Sequence, residues 1–427
     1  MAIRAGSWSR RNRIPPGHRR GPPSPAPSFT CTTFSQLDQI GTERGYGPED
    51  TQYRPDWFGL HGAGPRGCIS PRRHALSRSR GRANETLAAS AAARYGFEKS
   101  TGEWRRLVED PNVDIVDITS PNAMHHEMAL AAIAAGKHVY CEKPLSVTLA
   151  EAEEMAAAAR AKGVKTMVAF NNIKTPAAML AKQLIDSGDI GKPMRFRGWF
   201  DQGFFNDPEL PFSWRCTRKE AGSGALGDLG SHVISVAQYL MGDIDSVIAQ
   251  SQTFFPTRPV PQGGSGYGAK AGDNAPRATV ENEDQIQTLV RFKSGAGGTI
   301  EASRVAAGKV FGVYWEISGT EGTLIMDGER FNELKISRFN DPKPDRGFKT
   351  ILAGSQVPQF SAFFGFDFAG GGLGYFDVKV IEVRDLMEGI MRDADCYPNF
   401  EFGLANEQII DAMERSLETG RWERTVG

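Results

Sequence analysis

The sequence predicts an α/β protein in two parts: a parallel sheet flanked by helices, then a C-terminal α/β domain with a large open, mostly antiparallel sheet. Three observations carry this. Short β-branched runs alternate with Ala-rich helical stretches between residues 84 and 171, and strand patterns joined by Gly-containing turns follow after residue 190. At 427 residues the chain also exceeds what one core ordinarily serves, so two domains are expected.

The first eighty residues read differently from the rest. Residues 1–82 hold fourteen arginines against five acids, and the first lysine of the chain is Lys99. Stretches such as "RRNRIPPGHRRGPPSPAPS" have neither a 3.6 nor a 2.0 apolar period, so residues 1–57 are expected to be a disordered Arg/Pro-rich segment. A transit peptide would explain the Arg and Ser, but the prolines break the amphipathic helix it needs. A frame-shifted or wrongly started translation of a GC-rich gene would give the same bias.

From Asn84 the pattern is regular. "ANETLAASAAARYGF" is helical, "VDIVDITS" (113–120) is a buried parallel strand, and "HHEMALAAIAAG" is a helix stopped by Gly136. "KHVYCEKP" supplies the next strand. Thr148 and Glu151 form a capping box for a helix ending at Gly163, and "KTMVAF" is a further strand. Such alternation implies βαβ units, whose ligands sit at the carboxyl ends of the strands. Ser120-Pro121-Asn122 and Glu142-Lys143-Pro144 fall at those ends. The first is equally a plain turn. The second frames a lysine with a proline that restricts the backbone, as a positioned cation and proton donor requires.

After Asn171 the second half opens with Thr175 capping a helix and Pro176 in its first turn. Strand patterns follow in "PMRFRGWF", "DQIQTLVRF", "GGTIEASR", "VYWEISGTEGTLIMD" and "ELKISRF". Between the first two lies a helix, "GALGDLGSHVISVAQYLMG", on which Asp228 and His232 are four apart and share a face. They could form a solvated ion pair. The low charge of that face and the flanking glycines favour a ligand site, and His232 is the one histidine after His138. A histidine can take an alcohol proton near neutral pH, a lysine ammonium can stabilise the developing alkoxide, and a carboxylate can fix the hydroxyl and imidazole geometry. The Gly-rich "FAGGGLGYFDVK" (368–379) lacks P-loop order and reads as a loop and helix start near the substrate pocket.

Composition excludes several classes. The net charge of −1 gives no sign of nucleic-acid binding, and no apolar run suits a membrane span or a secretory signal. Five scattered cysteines, Cys31, Cys68, Cys141, Cys216 and Cys396, argue against disulfides and zinc and for a reducing, cytoplasmic setting. With no His, Cys and carboxylate cluster at ligand spacing, metal-free chemistry is expected.

From about residue 83 to the end, the chain resembles the Gfo/Idh/MocA family of oxidoreductases. The matching stretches are "DITSPNAMHHEMALAAIAAGKHVYCEKPLSVTLAEAEEMAAAARAKG", "AFNNIKTPA" and "PFSWRCTRKEAGSGALGDLGSHVISVAQYLMGDI". The resemblance implies an N-terminal Rossmann-type NAD(P)-binding domain (58–171, its first part degenerate to about 82) and a substrate-binding and oligomerisation domain (172–427). It implies Lys143, Asp228 and His232 as the catalytic set, with Ser120, Asn122, His125 and Glu142 lining the nicotinamide side. Trp214 and Arg215 would reach cofactor or substrate, although Trp214 could equally be core. Asn171 would touch substrate, while Asn172 and Lys174 stand where relatives commonly have Tyr or Arg. The resemblance further implies a homo-oligomer, dimer or tetramer, through the C-terminal sheet. "SWR", "GSGALGD" and "GLGY" look most like the branch handling inositols and anhydro-sugars.

One departure concerns the phosphate-binding turn. The candidate is Gly62, Gly64 and Gly67 in "GLHGAGPRG", with His74 downstream, but Pro65 and Arg66 sit where a helix should begin and no apolar strand precedes Gly62. Arg82 stands where an acid should read the ribose, and could instead pair with a 2′-phosphate. The cofactor expected is NAD or NADP, with NAD favoured. The resulting expectation is oxidation of a ring hydroxyl of a sugar, inositol or anhydro-sugar. The rivals are a sugar-binding regulatory homologue without turnover, and an inactive product of a gene with a damaged N-terminal frame.

Overall fold

The computed structural model describes residues 30–34, 72–77, 85–95, 97–261, 271–272, 274–363 and 371–426. The first half comprises β1 (Thr30–Phe34), β2 (Arg72–Ser77), α1 (Glu85–Tyr95), β3 (Lys99–Thr101), α2 (Trp104–Glu109), β4 (Ile115–Ile118), α3 (His125–Ala134), β5 (His138–Cys141), α4 (Leu149–Lys162) and β6 (Thr166–Val168). Its six strands form one sheet in the order β3-β2-β1-β4-β5-β6, with every pairing parallel. That order reverses between β1 and β4, where doubly wound sheets open a crevice for a dinucleotide.

β1 falls inside the 1–57 stretch to which the sequence pattern gave no element. The segment is Thr-Cys-Thr-Thr-Phe, and threonine's branched Cβ favours extended backbone once neighbouring strands supply hydrogen bonds. β4, β5 and β6 are short and buried: Val116, Ile118, Val139, Cys141 and Val168 are inaccessible. Thr148 and Glu151 make both halves of the capping box of α4, which ends on left-handed Gly163.

The second half contains α5 (Pro176–Asp186), β7 (Pro193–Asp201), α6 (Arg218–Ala221), α7 (Ser231–Met241), β8 (Ile244–Gln252), β9 (Thr257–Pro259), β10 (Arg277–Thr279), β11 (Gln285–Phe292), β12 (Gly297–Ser303), β13 (Gly312–Gly319), β14 (Gly322–Asp327), β15 (Glu333–Arg338), β16 (Lys349–Leu352), α8 (Asp377–Arg392), α9 (Phe400–Thr419) and β17 (Glu423–Arg424). Nine of these strands form a sheet ordered β16-β15-β14-β13-β7-β12-β11-β8-β17, antiparallel except for the β7–β12 pair. Alternate residues, Phe196 and Phe200 on β7 and Ile286, Val290 and Phe292 on β11, turn inward. Helices α5, α7 and α9 pack on this sheet. On the same strand β11, Leu289 points the other way and is 52% exposed. Among the described residues, no helix is long and apolar enough to cross a membrane.

Candidate active site

Two backbone features bring the site together. The chain leaves β5 through Glu142, Lys143 and Pro144, delivering the lysine to the carboxyl edge of the parallel sheet. From the other half, Leu226–Gly230 forms a wide π-helical turn that runs directly into α7. Such turns are uncommon and frequent at functional sites. This one holds Asp228 and places His232 about one turn later. The approach to it requires glycine at 224, because a Cβ there would stand 1.9 Å from the carbonyl oxygen of Glu283. The backbone amides of Gly224 and Leu226 donate to the Glu283 carboxylate at 2.8 Å each, pinning the start of the turn.

Lys143 Nζ donates to Asp228 Oδ1 at 2.8 Å and to the Asp228 carbonyl oxygen at 2.6 Å. Asp228 Oδ2 accepts from Arg215 Nε at 3.3 Å. Burial alone would raise the Asp228 carboxyl, but Lys143 and then Arg215 outweigh it and hold the group well below the ordinary carboxylate range. His232 is 6% exposed, with the rings of Phe170 and Phe200 edge-on at 6.4 and 5.7 Å. Burial first, then the charges of Lys143 and Lys379, push its imidazole well below the usual histidine value, so it is neutral at physiological pH. Its Nδ1 is buried without a hydrogen-bond partner. Asp228 and His232 do share a face. The carboxylate, however, is engaged by the two cations, so the expectation that it orients the imidazole is corrected: Asp228 orients Lys143.

The strand-end residues are more occupied than the sequence suggested. His125 is fully buried, with Nε2 3.0 Å from the Ser120 carbonyl and Nδ1 3.0 Å from the Pro144 carbonyl. It braces one turn against the other. Asn122 Nδ2 donates to the Ala221 carbonyl at 2.9 Å, tying its turn to the end of α6. Ser120 Oγ donates weakly to the Pro121 carbonyl at 3.3 Å. Glu142 takes Lys379 Nζ at 3.1 Å on Oε1 and the Lys143 amide at 3.2 Å on Oε2. By contrast, Thr119 Oγ1, at the carboxyl end of β4, is buried without a partner. An unsatisfied hydroxyl at the carboxyl edge of a sheet of this order fits a nucleotide there.

Trp214 and Arg215 form a short turn in which the guanidinium lies over the indole, 4.3 Å from its centroid. Trp214 Nε1 is buried and unpartnered. Asn171 Nδ2 donates to Tyr375 Oη at 2.7 Å, while Asn171 Oδ1 has no partner. Lys174 is taken up by Asp385 at 2.8 Å. Gly62, Gly64, Gly67 and Arg82 lie outside the described residues.

Comparison with known proteins accounts for both halves. Residues 73–170 match the model described as "Oxidoreductase family, NAD-binding Rossmann fold", and residues 179–325 match the GFO/IDH/MocA C-terminal domain. The chain belongs to the GFO/IDH/MocA oxidoreductase family. A levoglucosan dehydrogenase from Pseudarthrobacter phenanthrenivorans is 40% identical over 341 residues, covering 80% of this chain and 87% of that protein. The crystal structure of an NAD binding oxidoreductase from Klebsiella pneumoniae is 62% identical with a TM-score of 0.78, covering 84% of this chain and 91% of that one. A structure of levoglucosan dehydrogenase with NADH and levoglucosan is 38% identical with a TM-score of 0.77, covering 84% and 91%. The family match makes this chain an NAD-binding oxidoreductase and bears out the resemblance read from its motifs. It begins at residue 73, inside the compositionally distinct first eighty residues.

Two residues of the site escaped the sequence reading, Tyr375 and Lys379. Both belong to the Gly-rich segment taken for a loop and helix start, which α8 confirms. Tyr375 meets Phe311 at 4.5 Å between centroids, and Phe311 meets Phe200 at 5.3 Å, so an aromatic wall runs from His232 to the Gly-rich loop.

Proposed function

We propose that this family member is an NAD-dependent dehydrogenase of a sugar-derived polyol, oxidising a ring secondary hydroxyl, with an anhydro-sugar of the levoglucosan type as the foremost substrate. The observation that carries this is a neutral, buried histidine beside a lysine whose ammonium is fixed by a carboxylate. Alcohol oxidation asks for that pair: a base without a proton and a cation where negative charge develops. When bound, NAD would be held by the turns at the carboxyl ends of β4 and β5 and would supply the hydride acceptor. His232 takes the hydroxyl proton. Lys143, fixed by Asp228, stabilises the alkoxide and lowers the cost of losing that proton. Trp214 Nε1 and Asn171 Oδ1 offer an unpaired donor and acceptor to further hydroxyls, and the aromatic wall suits the C–H face of a pyranose ring. The outward face of the nine-stranded sheet is the surface through which we expect copies of the chain to associate.

The test is titration of the purified chain with NADH and NADPH, followed by NAD reduction on a panel of levoglucosan, inositols and aldoses. Saturable NADH binding with turnover on an anhydro-sugar is the expected result. Binding without turnover on any member would leave a sugar-binding homologue, and a folded chain that does not bind NADH would remove the dehydrogenase reading altogether.

A further inference from the structure

Lys379 lies in the first turn of α8, four residues beyond Tyr375, and reaches the end of β5 in the other half of the molecule. Its Nζ is 3.1 Å from Glu142 Oε1, 3.1 Å from Tyr140 Oη and 3.2 Å from Glu382 Oε2. Tyr140 Oη donates to Glu382 Oε2 at 2.7 Å, and Glu382 is fully buried. One ammonium, on a side chain 36% exposed, thus touches groups from β5, from the turn after it and from its own helix. The location of this cluster is what matters. Glu142 is the residue before Lys143, and its second oxygen already accepts the Lys143 amide. After Lys379, the cation acting most strongly on the Glu142 carboxylate is Lys143 itself. Without Lys379, that carboxylate would compete with Asp228 for the ammonium.

We infer that Lys379 is a positioning residue for hydrogen transfer: it holds the Glu142 carboxylate away from the Lys143 ammonium, leaving that ammonium to Asp228 and the substrate oxygen. The inference rests on the dehydrogenase reading for its kinetic part. Lys379 also acts at a distance on the base. The charged groups facing His232 are Lys143 from the β5 turn, Asp228 from the π-helical turn and Lys379 from α8. Removing the Lys379 charge therefore raises the tendency of His232 to take a proton.

The experiment compares Lys379→Met, Lys379→Arg, Glu142→Gln and the Lys379→Met/Glu142→Gln double variant. The readouts are steady-state kinetics with NAD and levoglucosan, and 15N NMR titration of the histidine rings with His232 assigned from His232→Asn. Lys379→Met should lower kcat by about tenfold or more, the scale of a misplaced catalytic group, with a smaller change in the KM for levoglucosan. It should also move the His232 midpoint upward, carrying the acid limb of the rate profile to higher pH. Lys379→Arg should restore both, and the double variant should be no slower than Glu142→Gln alone. If Lys379→Met misfolds through its unpaired carboxylates, Lys379→Met/Glu382→Gln removes one of them and carries the same readouts. Wild-type kcat and wild-type His232 titration in a folded Lys379→Met protein would overturn the inference, as would fully additive losses in the double variant. Should levoglucosan not be a substrate, the titration still decides the charge coupling without turnover.

Discussion

Two clusters of charge meet at Arg215, and they are built in opposite ways. In one, Arg304 and Asp284 are 1% and 0% exposed and paired at 2.9 Å. Asp284 Oδ2 also accepts the amides of Phe254 and Phe255, and Arg304 donates on to the carbonyls of Asn282 and Arg215. Nearby Arg258 donates to the carbonyls of Asp207 and Phe205 and lies over the Phe205 ring. The charged pair there is spent within the fold, although Arg258 Nε and Asn282 Oδ1 beside it are buried without a partner. In the other, Lys143, Asp228 and Arg215 pair with one another, yet around them Trp214 Nε1, His232 Nδ1 and Asn171 Oδ1 remain buried and unpartnered. Unsatisfied buried groups cost stability. Unpartnered atoms occur beside both clusters, so what separates a site shaped for a ligand from the brace that holds its Trp214-Arg215 turn is access: the side chains of Lys143, Asp228 and Arg215 are 14%, 25% and 15% exposed, those of Arg304 and Asp284 1% and 0%.

If that division is right, substitutions in the two clusters should fail in different assays. Lys143→Ala should reduce turnover by about 10³-fold, within the range for loss of a positioned charge where negative charge develops, a far larger effect than the loss of Tm it brings at neutral pH, where the Asp228 contribution is present. It should also weaken the protein in acid. The depressed Asp228 carboxyl contributes stability that is present above the ordinary carboxylate range and lost as pH falls toward its folded value, and Lys143 is the foremost attraction keeping it low. The acid-unfolding midpoint of Lys143→Ala should therefore lie at higher pH. Asp284→Ala should do the reverse, leaving Arg304 buried without a counter-charge. A loss of about 3–5 kcal/mol is the usual scale, visible in denaturant unfolding, while the folded fraction keeps a measurable turnover.

The same contrast explains how much the sequence disclosed. Lys143, Asp228 and His232 could be put forward as a candidate set because each is marked locally, by a strand end before proline or by a four-residue spacing on a helix, and the structure brings Lys143 and Asp228 together. The capping box at Thr148, the proline start of α5 and the strand–helix alternation were legible for the same reason. Lys379 was not. Its partner Glu142 is more than two hundred residues away, and a lysine in the first turn of a helix gives no sign of facing inward; only the unexplained charge of Glu142 beside Lys143 could have prompted a search for a cation. β1 was missed because five residues rich in threonine carry no amphipathic signal, and their strand character comes from β2 and β4 on either side. Asp228 was assigned to the wrong partner because helical spacing fixes a shared face and says nothing of cations arriving from β5 and from the Trp214-Arg215 turn.

Glu407 tests whether a buried unpartnered atom always marks the site. It lies on α9 beneath the turn that follows Lys143, 4% exposed, with Oε1 unpartnered. Burial outweighs the nearby Ser146 and Leu145 amides and pushes its carboxyl up to about 8. The folded protein thus keeps a proton that the unfolded chain has lost above the ordinary glutamate range. Its contribution to stability is complete below that range and declines as pH rises to about 8. Glu407→Gln should flatten this slope, gaining about 1–3 kcal/mol over the wild type at pH 8 and little near pH 4, with turnover preserved. A loss of turnover instead would extend the catalytic machinery beneath the Glu-Lys-Pro turn.

The smallest expected effect is the most discriminating, because Trp214 admits two roles with opposite signs. As a core residue it would pack and lose stability on replacement. As a ligand contact it carries a buried N–H that the free protein leaves unpaired, so Trp214→Phe removes an unsatisfied donor while keeping a ring for Arg215 to lie over. Tm of the free enzyme should then hold or rise slightly. The KM for the sugar should rise about three- to tenfold, the worth of one hydrogen bond, with kcat nearly unchanged. A fall in Tm at constant KM would return Trp214 to the brace, and would place the boundary between the two clusters at the Arg215 side chain itself.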